Sequence, residues 1–563
     1  MSLVVVILVS VVVATISGLA LGCVPLGLTT DGSILSLTLG FVAGFALWRG
    51  HRGISLPRRL EGSANALPDA WAWIMLFVFA LASLRSYMWL VFSSGDQWRI
   101  GSPYNIGDLA LHWQMIGHLV EGARFWPENP IFAEGFLRYP AGVNLFNALF
   151  VQAGLPMREV LVWTGLLGSV LAAWSLWRWA GAFGLAFFLF SGSLAGWMFN
   201  MPAWPYSLPA GIEWKNLFLS VFVTQRGFLW AMAAGLVLLW QWRLRLKGEG
   251  GATIPFFAEF CLYATMPLFH LHSFLFFSLL LGVCFLCSTG KPRWEFLRLG
   301  IASVIPATLL VWLVTGGFNT TPGMIGWAPG WMQGDGGFLF WWLNFGITLP
   351  LFAWLGWVVV RKGDIAQRVF VGVSLAVLVI CFFWRLAPWP WDNVKLMIWV
   401  WLALAPFLWE LVLKPLAAWA RVLLLILLFG GGAMELFAGL STRHFYDWIP
   451  RKEWDETCVL MQDLPVEMVR VGILPTVPHA VALQGYAIMV GYDGHLWSHG
   501  YDYADKKSAL ENFFRTGDEA PLLSRMTHVF IGPRERKEFG SDIFKEIPQG
   551  WRIRNQTENQ MLL

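Results

Sequence analysis

Asp108 and His112 are four residues apart, so both project from one face of the first turn of any helix that holds them. A carboxylate beside an imidazole suits acid–base work on a hydroxyl or an amide. Further along, Thr224-Gln225-Arg226 sets a cation before an apolar run, and Pro267 to Ser273 holds His270 and His272. The stretch Trp391-Asp392-Asn393-Val394-Lys395 opens another apolar run with an acid, an amide and a base. Each has a plain reading taken singly: Asp108 caps its helix, Arg226 and Lys395 snorkel to an interface, and the histidines are satisfied core imidazoles. Ionisable residues at membrane depth are costly, however, and functional by default. Taken together, they make a set suited to transfer at a membrane surface. A carboxylate accepts a proton, cations neutralise a phosphate leaving group, and Trp and Tyr offer flat faces to a sugar ring.

The elements that must position these residues follow from composition. The chain has 563 residues, of which 57% are hydrophobic and 13% charged, with 36 Trp and 44 Phe. Soluble domains carry about 25% charged residues. The deficit excludes a disordered chain, a soluble multidomain enzyme and a nucleic-acid-binding protein, and points to a polytopic membrane protein. The charge is unevenly spread: 31 of the 123 residues from Ser441 onward are charged, against 43 of the first 440. Residues 1–440 are therefore expected to form a membrane domain and 441–563 a soluble one. Of six cysteines, all but Cys458 lie in or beside apolar runs, and Cys284 and Cys287 read as packed small hydrophobes rather than a metal or redox pair.

Apolar runs occur at about 3–21, 34–48, 70–92, 140–156, 159–177, 182–199, 227–242, 253–270, 274–288, 299–316, 338–360, 369–386, 396–413 and 421–440. The first reads as a transmembrane helix rather than a cleaved signal, since it has no basic leader. Basic clusters mark four cytoplasmic connections. They are Arg49, Arg52, Arg58 and Arg59; Arg243, Arg245 and Lys247; Lys291, Arg293 and Arg298; and Arg361, Lys362 and Arg368. With the connections at 49–69 and 243–252 both inside, an even number of crossings must lie between 93 and 227. Three runs lie there, and 140–156, which carries Asn144, Asn147 and Gln152, is the one expected not to cross. The result is about thirteen crossings, with the N-terminus cytoplasmic and the tail outside.

Every polar cluster then falls on the outer face. The longest outer loop, 93–139, ends with Glu134, Arg138 and Tyr139, and its stretch from Asp108 to Glu121 is expected to lie as an amphipathic helix on the membrane surface. The tail mixes short strands, such as Met468 to Leu474 and His528 to Ile531, with a helix at Asp505 to Arg515, the pattern of a small α/β domain. Its Gly- and aromatic-rich run from Gly491 to Tyr503 is expected to be an ordered loop that folds over the membrane site. His495 and His499 within it lack a carboxylate at ligand spacing and make no convincing zinc site.

Several short motifs together resemble the GT-C superfamily of integral-membrane glycosyltransferases, and within it a poorly characterised bacterial group. They are Gly107-Asp108 with His112, Tyr139-Pro140 followed by Asn144, Gln225-Arg226-Gly227, Pro267 to Ser273, Asn344-Phe345-Gly346, Trp391 to Lys395, and the tail run from Gly491 to Tyr503. The resemblance implies an all-α polytopic GT-C-like membrane domain with a small extracytoplasmic α/β domain. It also implies an inverting transferase that takes a sugar from a polyprenyl-phosphate donor, with Asp108 as base. No cofactor is assigned. A divalent metal stays open, because some relatives show two adjacent acids where this chain has Gly107-Asp108.

The expected roles follow. Arg226, Lys395 and His272 hold the donor phosphate. His112, Glu134, Arg138, Tyr139, His270, Asp392, Asn393, His495 and His499 contact substrate. The expected setting is the bacterial inner membrane with a periplasmic tail, and the partners are the lipid bilayer, a polyprenyl-phosphate sugar and an acceptor that is a glycan, lipid or protein. A lipid-linked-glycan transporter, or a non-catalytic relative that binds such a lipid, is the alternative. It would carry polar groups toward both faces, often on internal repeats. Here the polar groups cluster on one face and no repeat is evident.

Overall fold

In the computed structural model, the described residues are all of the chain except 1–2, 25–26, 51–68, 122–123, 198–210, 249–253, 320–323, 444 and 545. Arg52, Arg58 and Arg59, counted above among the basic connections, lie outside them. The membrane domain is built from α1 (Leu3–Gly22), α2 (Thr30–Gly50), α3 (Ala70–Met88), α4 (Ile106–Val120), α5 (Gly142–Gln152), α6 (Met157–Leu189), α7 (Arg226–Lys247), α8 (Phe256–Ala264), α9 (Met266–Phe269), α10 (Leu271–Cys287), α11 (Gly290–Val314), α12 (Gly337–Phe345), α13 (Thr348–Lys362), α14 (Ile365–Phe383), α15 (Val394–Phe407) and α16 (Ala418–Gly439). A chain in lipid must satisfy its backbone internally, which is why these apolar runs are helical.

Among the described residues, nine helices are long and apolar enough to cross a membrane, and α12 with α13 make a tenth span bent by 81°. The other three stretches expected to cross are shorter. Two are α8–α9 and α10. The third is the second arm of α6, which folds back at Gly181 (φ 65°, ψ −157°). A Cβ on Gly184 would lie 3.5 Å from Leu176 Cδ1, which a straight helix does not allow over eight residues. The runs 159–177 and 182–199 are therefore one hairpin, turned by glycine, with residues 198–199 outside the described set. The run at 140–156 yields α5, whose eleven residues are too short to span. It is buried against its neighbours instead, with Gly142 set against the Leu268 backbone.

Helix α7 occupies the centre of the bundle and α15 is nearly as enclosed, whereas α2 and α11 present apolar side chains outward, as in Trp294 at 69% exposed. Close approach at the centre depends on small residues: a Cβ on Gly235 of α7 would meet the rings of Trp399 and Phe277. Three basic connections share one end of the bundle. Arg243 pairs with Glu410 at 2.9 Å, Arg245 with Glu259 at 2.7 Å and Glu295 at 2.8 Å, and Lys247 approaches Asp364 at 3.9 Å.

The opposite end carries the C-terminal domain, a five-stranded mixed sheet with strands in the order 555–556, 561–562, 528–531, 470–472 and 487–488. The three strands at one side of this order are parallel. Helices α17 (Arg451–Met461), α18 (Ala480–Leu483), α19 (Asp493–Ser498), α20 (Ala504–Thr516) and α21 (Pro533–Phe539) surround it. The first long loop joins this domain. Strand 97–100 pairs with 446–450, and Leu111, Met115, Ile131 and Ala133 share a core with Met489, Leu510 and Phe513. Helix α4 is thus held between bundle and domain, with nine of its fifteen residues buried, and has no free polar face of the kind expected for a surface helix. Gln114 donates to the Pro130 and Tyr486 carbonyls and His118 bonds the Gly485 carbonyl, so its polar side chains are used to seat the domain.

Candidate active site

The start of α4 places Asp108 in its first turn, where the unpaired amides of a helix favour a negative charge. Asn105 is the cap residue and makes no side-chain cap bond; Asp108 faces the bundle instead, where Gln225 Nε2 donates to its Oδ2 at 3.3 Å. The carboxyl lies deep yet is still partly accessible. Burial raises its pKa to about 6 against the pull of Lys395, with Asp392 adding to the rise and hydrogen bonds from Thr224 and Gln225 lowering it. A carboxyl in that range is ionised at neutral pH and still basic enough to accept a proton.

One turn on, His112 is buried, with Nδ1 2.7 Å from Asn144 Oδ1 of α5. Burial, then Arg226, lowers its pKa to about 3, so the ring is neutral. Tyr139 lies edge-on to it at 5.8 Å, and its hydroxyl is pushed above the usual tyrosine value by burial and then by Asp108 and Asp392. The C-terminal domain closes this wall. His499 contacts the Tyr139 ring at 5.1 Å, and the His495 Nε2 would lie 3.3 Å from a Cβ at Gly107. Burial lowers the His495 pKa to about 4 and depresses His499 as well, His495, Lys395 and His112 adding to the latter. Part of the tail run from Gly491 to Tyr503 forms the short helix α19, which packs against Gly107 and Tyr139, and glycine at 107 leaves room for its histidine.

The opposite wall is the entry to α15. Asp392 and Lys395 form an ion pair at 3.0 Å, and His272 at the start of α10 lies within their electrostatic reach. Asp108, His112, Tyr139, His272, Asp392, Lys395, His495 and His499 thus cluster at the bundle end that carries the C-terminal domain. No group of three or more His, Cys, Asp or Glu able to hold a metal ion occurs among the described residues.

Five other expected site residues have different surroundings. Arg226 is buried with its guanidinium donating to the Leu161 carbonyl and lying 5.7 Å over the Tyr87 ring, with Nε and Nη1 unpartnered among the described residues, while its charge still reaches His112. His270 caps α10, bonding Ser273 through Nδ1 at 2.7 Å, and its ring lies 5.7 Å from that of His272 with Nε2 unpartnered among the described residues. Asn393 uses its whole amide on backbone: Oδ1 accepts from Leu386 N, and Nδ2 donates to the Cys381 and Trp384 carbonyls. Glu134 pairs with Lys506 and Arg525, and Arg138 donates to the Gly500 carbonyl beneath the Tyr501 ring. These last two join the loop to the domain and do not join that cluster.

Residues to which spacing alone gives no role also adjoin these groups: Thr224 and Gln225 bond Asp108, Asn144 bonds His112, and Lys215 lies over the Tyr104 and Trp391 rings. Glu213 and Lys215, two charges between apolar runs, were the available signal for the last.

No known family profile matches the chain, and no curated protein does. Two solved structures are similar to it in part. One is the oligosaccharyltransferase of Archaeoglobus fulgidus, solved tethered to an acceptor peptide containing the NVT sequon, at a TM-score of 0.48 and 9% identity over 82% of this chain and 69% of that one. The other is ArnT from Cupriavidus metallidurans, solved bound to undecaprenyl phosphate, at a TM-score of 0.43 and 14% identity over 88% of this chain and 98% of that one. At TM-scores below 0.5 neither likeness bears on what this chain does, and the chemistry has to come from its own residues.

Proposed function

We propose that this protein is an inverting glycosyltransferase that moves a sugar from a polyprenyl-phosphate donor to an acceptor at the extracytoplasmic face of a bacterial cytoplasmic membrane. The observation that carries the reading is the grouping of charges: a partly accessible carboxyl with a pKa of about 6 beside the Asp392–Lys395 pair, at the bundle end covered by the C-terminal domain. Asp108 takes the proton from an acceptor hydroxyl or amide as that atom bonds to the anomeric carbon of the sugar. The bond from that carbon to the phosphate oxygen breaks, and the phosphate leaves with the electron pair. Attack and departure on opposite sides of the carbon invert its configuration. Lys395, held by Asp392, stabilises the charge that develops on the leaving phosphate. His272 is neighbour to that cation and Tyr139, His112, His495 and His499 line the sugar or acceptor side with neutral groups, which bind hydroxyls without competing for the proton. Arg226, buried toward Tyr87, supports the bundle rather than the phosphate. The shared end of the basic connections supports a cytoplasmic location for that end and an extracytoplasmic one for the site.

The test is transfer of label from a radiolabelled polyprenyl-phosphate sugar in proteoliposomes supplied with a cell-envelope extract. Native protein is expected to move label onto acceptor and Asp108→Asn to fail. Movement of intact labelled lipid across the bilayer with no new glycosidic bond would replace this reading with transport.

A further inference from the structure

Arg226, Lys395 and Lys215 differ in how far they are enclosed and in what pairs with them. Arg226 is enclosed in the bundle against Leu161 and Tyr87 with Nε and Nη1 unpartnered among the described residues, and Lys395 is paired with Asp392. Lys215 has neither fate. Among the described residues it makes no ion pair and donates no hydrogen bond, and the acids it influences, Glu213 and Glu435, lie beyond ion-pairing distance. Its ammonium stands 5.0 Å over the Tyr104 ring and 5.7 Å over the Trp391 ring. Those rings belong to the two walls of the site. Tyr104 leads into the helix that begins with Asp108, and Trp391 adjoins Asp392.

The segment that carries Lys215 is pinned on both sides. Asn344 Oδ1 accepts from Glu213 N at 2.7 Å and Trp214 N at 2.8 Å, and its Nδ2 donates to the Gly211 carbonyl. Beyond the lysine, Asn216 N donates to the buried Glu435 Oε1 at 2.7 Å, and Asn216 Nδ2 donates to the Leu189 and Gly432 carbonyls. Trp214 is buried against Trp331, Phe345 and Trp401. Trp214 and Asn216 face inward, so Lys215 is left partly exposed on a backbone hydrogen-bonded on both sides. Tyr104 is held with equal care, at φ +62°, a conformation L-residues rarely adopt. An unpaired ammonium on an aromatic floor, presented by a fixed turn, is preorganised for an anion, because ligand binding then orders little else.

We propose that Lys215, with Tyr104 and Trp391, forms a phosphate-binding subsite that acts together with Lys395, and that it supplies the accessible unpaired positive charge expected of Arg226. The proposal rests on the lipid-phosphate reading above and names the residue that would carry it. The rings flank the cation, leaving its remaining N–H groups for phosphate oxygens.

The experiment measures binding of a polyprenyl phosphate, the matching uncharged polyprenol and inorganic phosphate to the detergent-solubilised full chain. Native protein is expected to prefer the lipid phosphate over the alcohol. Lys215→Gln is expected to lose roughly tenfold to a hundredfold of lipid-phosphate affinity, as for a charged hydrogen bond, with polyprenol binding unchanged. Lys215→Arg is expected to keep most of it. Equal competition by inorganic phosphate would assign the subsite to free phosphate instead of a lipid and overturn the proposal as stated. In the native chain, acetylation of Lys215 followed by mass spectrometry should slow with lipid phosphate present and not with polyprenol, a readout that needs no variant to fold. Unchanged preference in Lys215→Gln, or unchanged labelling, overturns the role of Lys215 while leaving the donor reading intact. No preference for phosphate in the native chain sinks the donor reading and this inference with it.

Discussion

Asp108 sets the pH at which the proposed reaction can run. Its folded pKa of about 6 lies above the ordinary carboxyl value, so the folded chain holds a proton between about pH 4 and 6 that the unfolded chain has released. Stability therefore falls, not rises, as pH increases through that window, and ionised Asp108 opposes folding at pH 7. Asp108→Asn is accordingly expected to abolish transfer by about 10²- to 10⁴-fold, the usual worth of a general base. Its melting temperature at pH 7 should be no lower than native. A parallel drop in both would show that the residue supports the fold instead. Asn393 should give the reverse pattern. Its amide ties Leu386, Cys381 and Trp384 together, and removing a buried partner costs about 1–3 kcal/mol. Asn393→Ala should melt earlier while the surviving folded fraction turns over normally; native stability with lost activity would restore it to the substrate.

At the scale of elements, glycine positions do what helix length alone would not. Gly181 lies in a region of backbone space that costs an L-residue about 1–3 kcal/mol, and it turns α6 back on itself. Gly181→Ala is expected to lower the thermal stability of purified protein by that order, and an unchanged melting curve would remove the hairpin from the account. Such features explain what was legible in the sequence and what was not. The apolar runs marked the helices because lipid demands long apolar stretches, and the parity of basic connections marked 140–156 as the one that does not cross, in keeping with the short α5. That 159–177 and 182–199 join in one broken helix depends on a single φ value, which hydropathy does not record. Asp108 and Lys395 could be picked out as charges at helix ends, whereas the orientation of Arg226 into the bundle depends on Tyr87 and Leu161, more than sixty residues away in the chain. Spacing cannot report such a contact.

At the scale of the whole molecule, the first long loop and the C-terminal domain act as one cover over the site. The strands 97–100 and 446–450 pair, and Glu128 of the loop meets Arg470 of the domain at 2.6 Å. Composition had split the chain at residue 440, because charge density distinguishes membrane from soluble residues and says nothing of which loops join the soluble part. Reversing either charge alone, Glu128→Arg or Arg470→Glu, sets like charges together and should make the domain more susceptible to trypsin and slow transfer; the double reversal should recover both. Failure of the double variant to recover either property would mean that the pair does not hold the cover. The most direct measurement of the central claim is the pH profile of sugar transfer from labelled polyprenyl phosphate, run from pH 4.5 to 8 for native protein and for Asp108→Asn. Deprotonated Asp108 predicts a native rate that climbs through about pH 6 to a plateau and a variant rate that is low and flat. A native-like rate and profile in Asp108→Asn would contradict it.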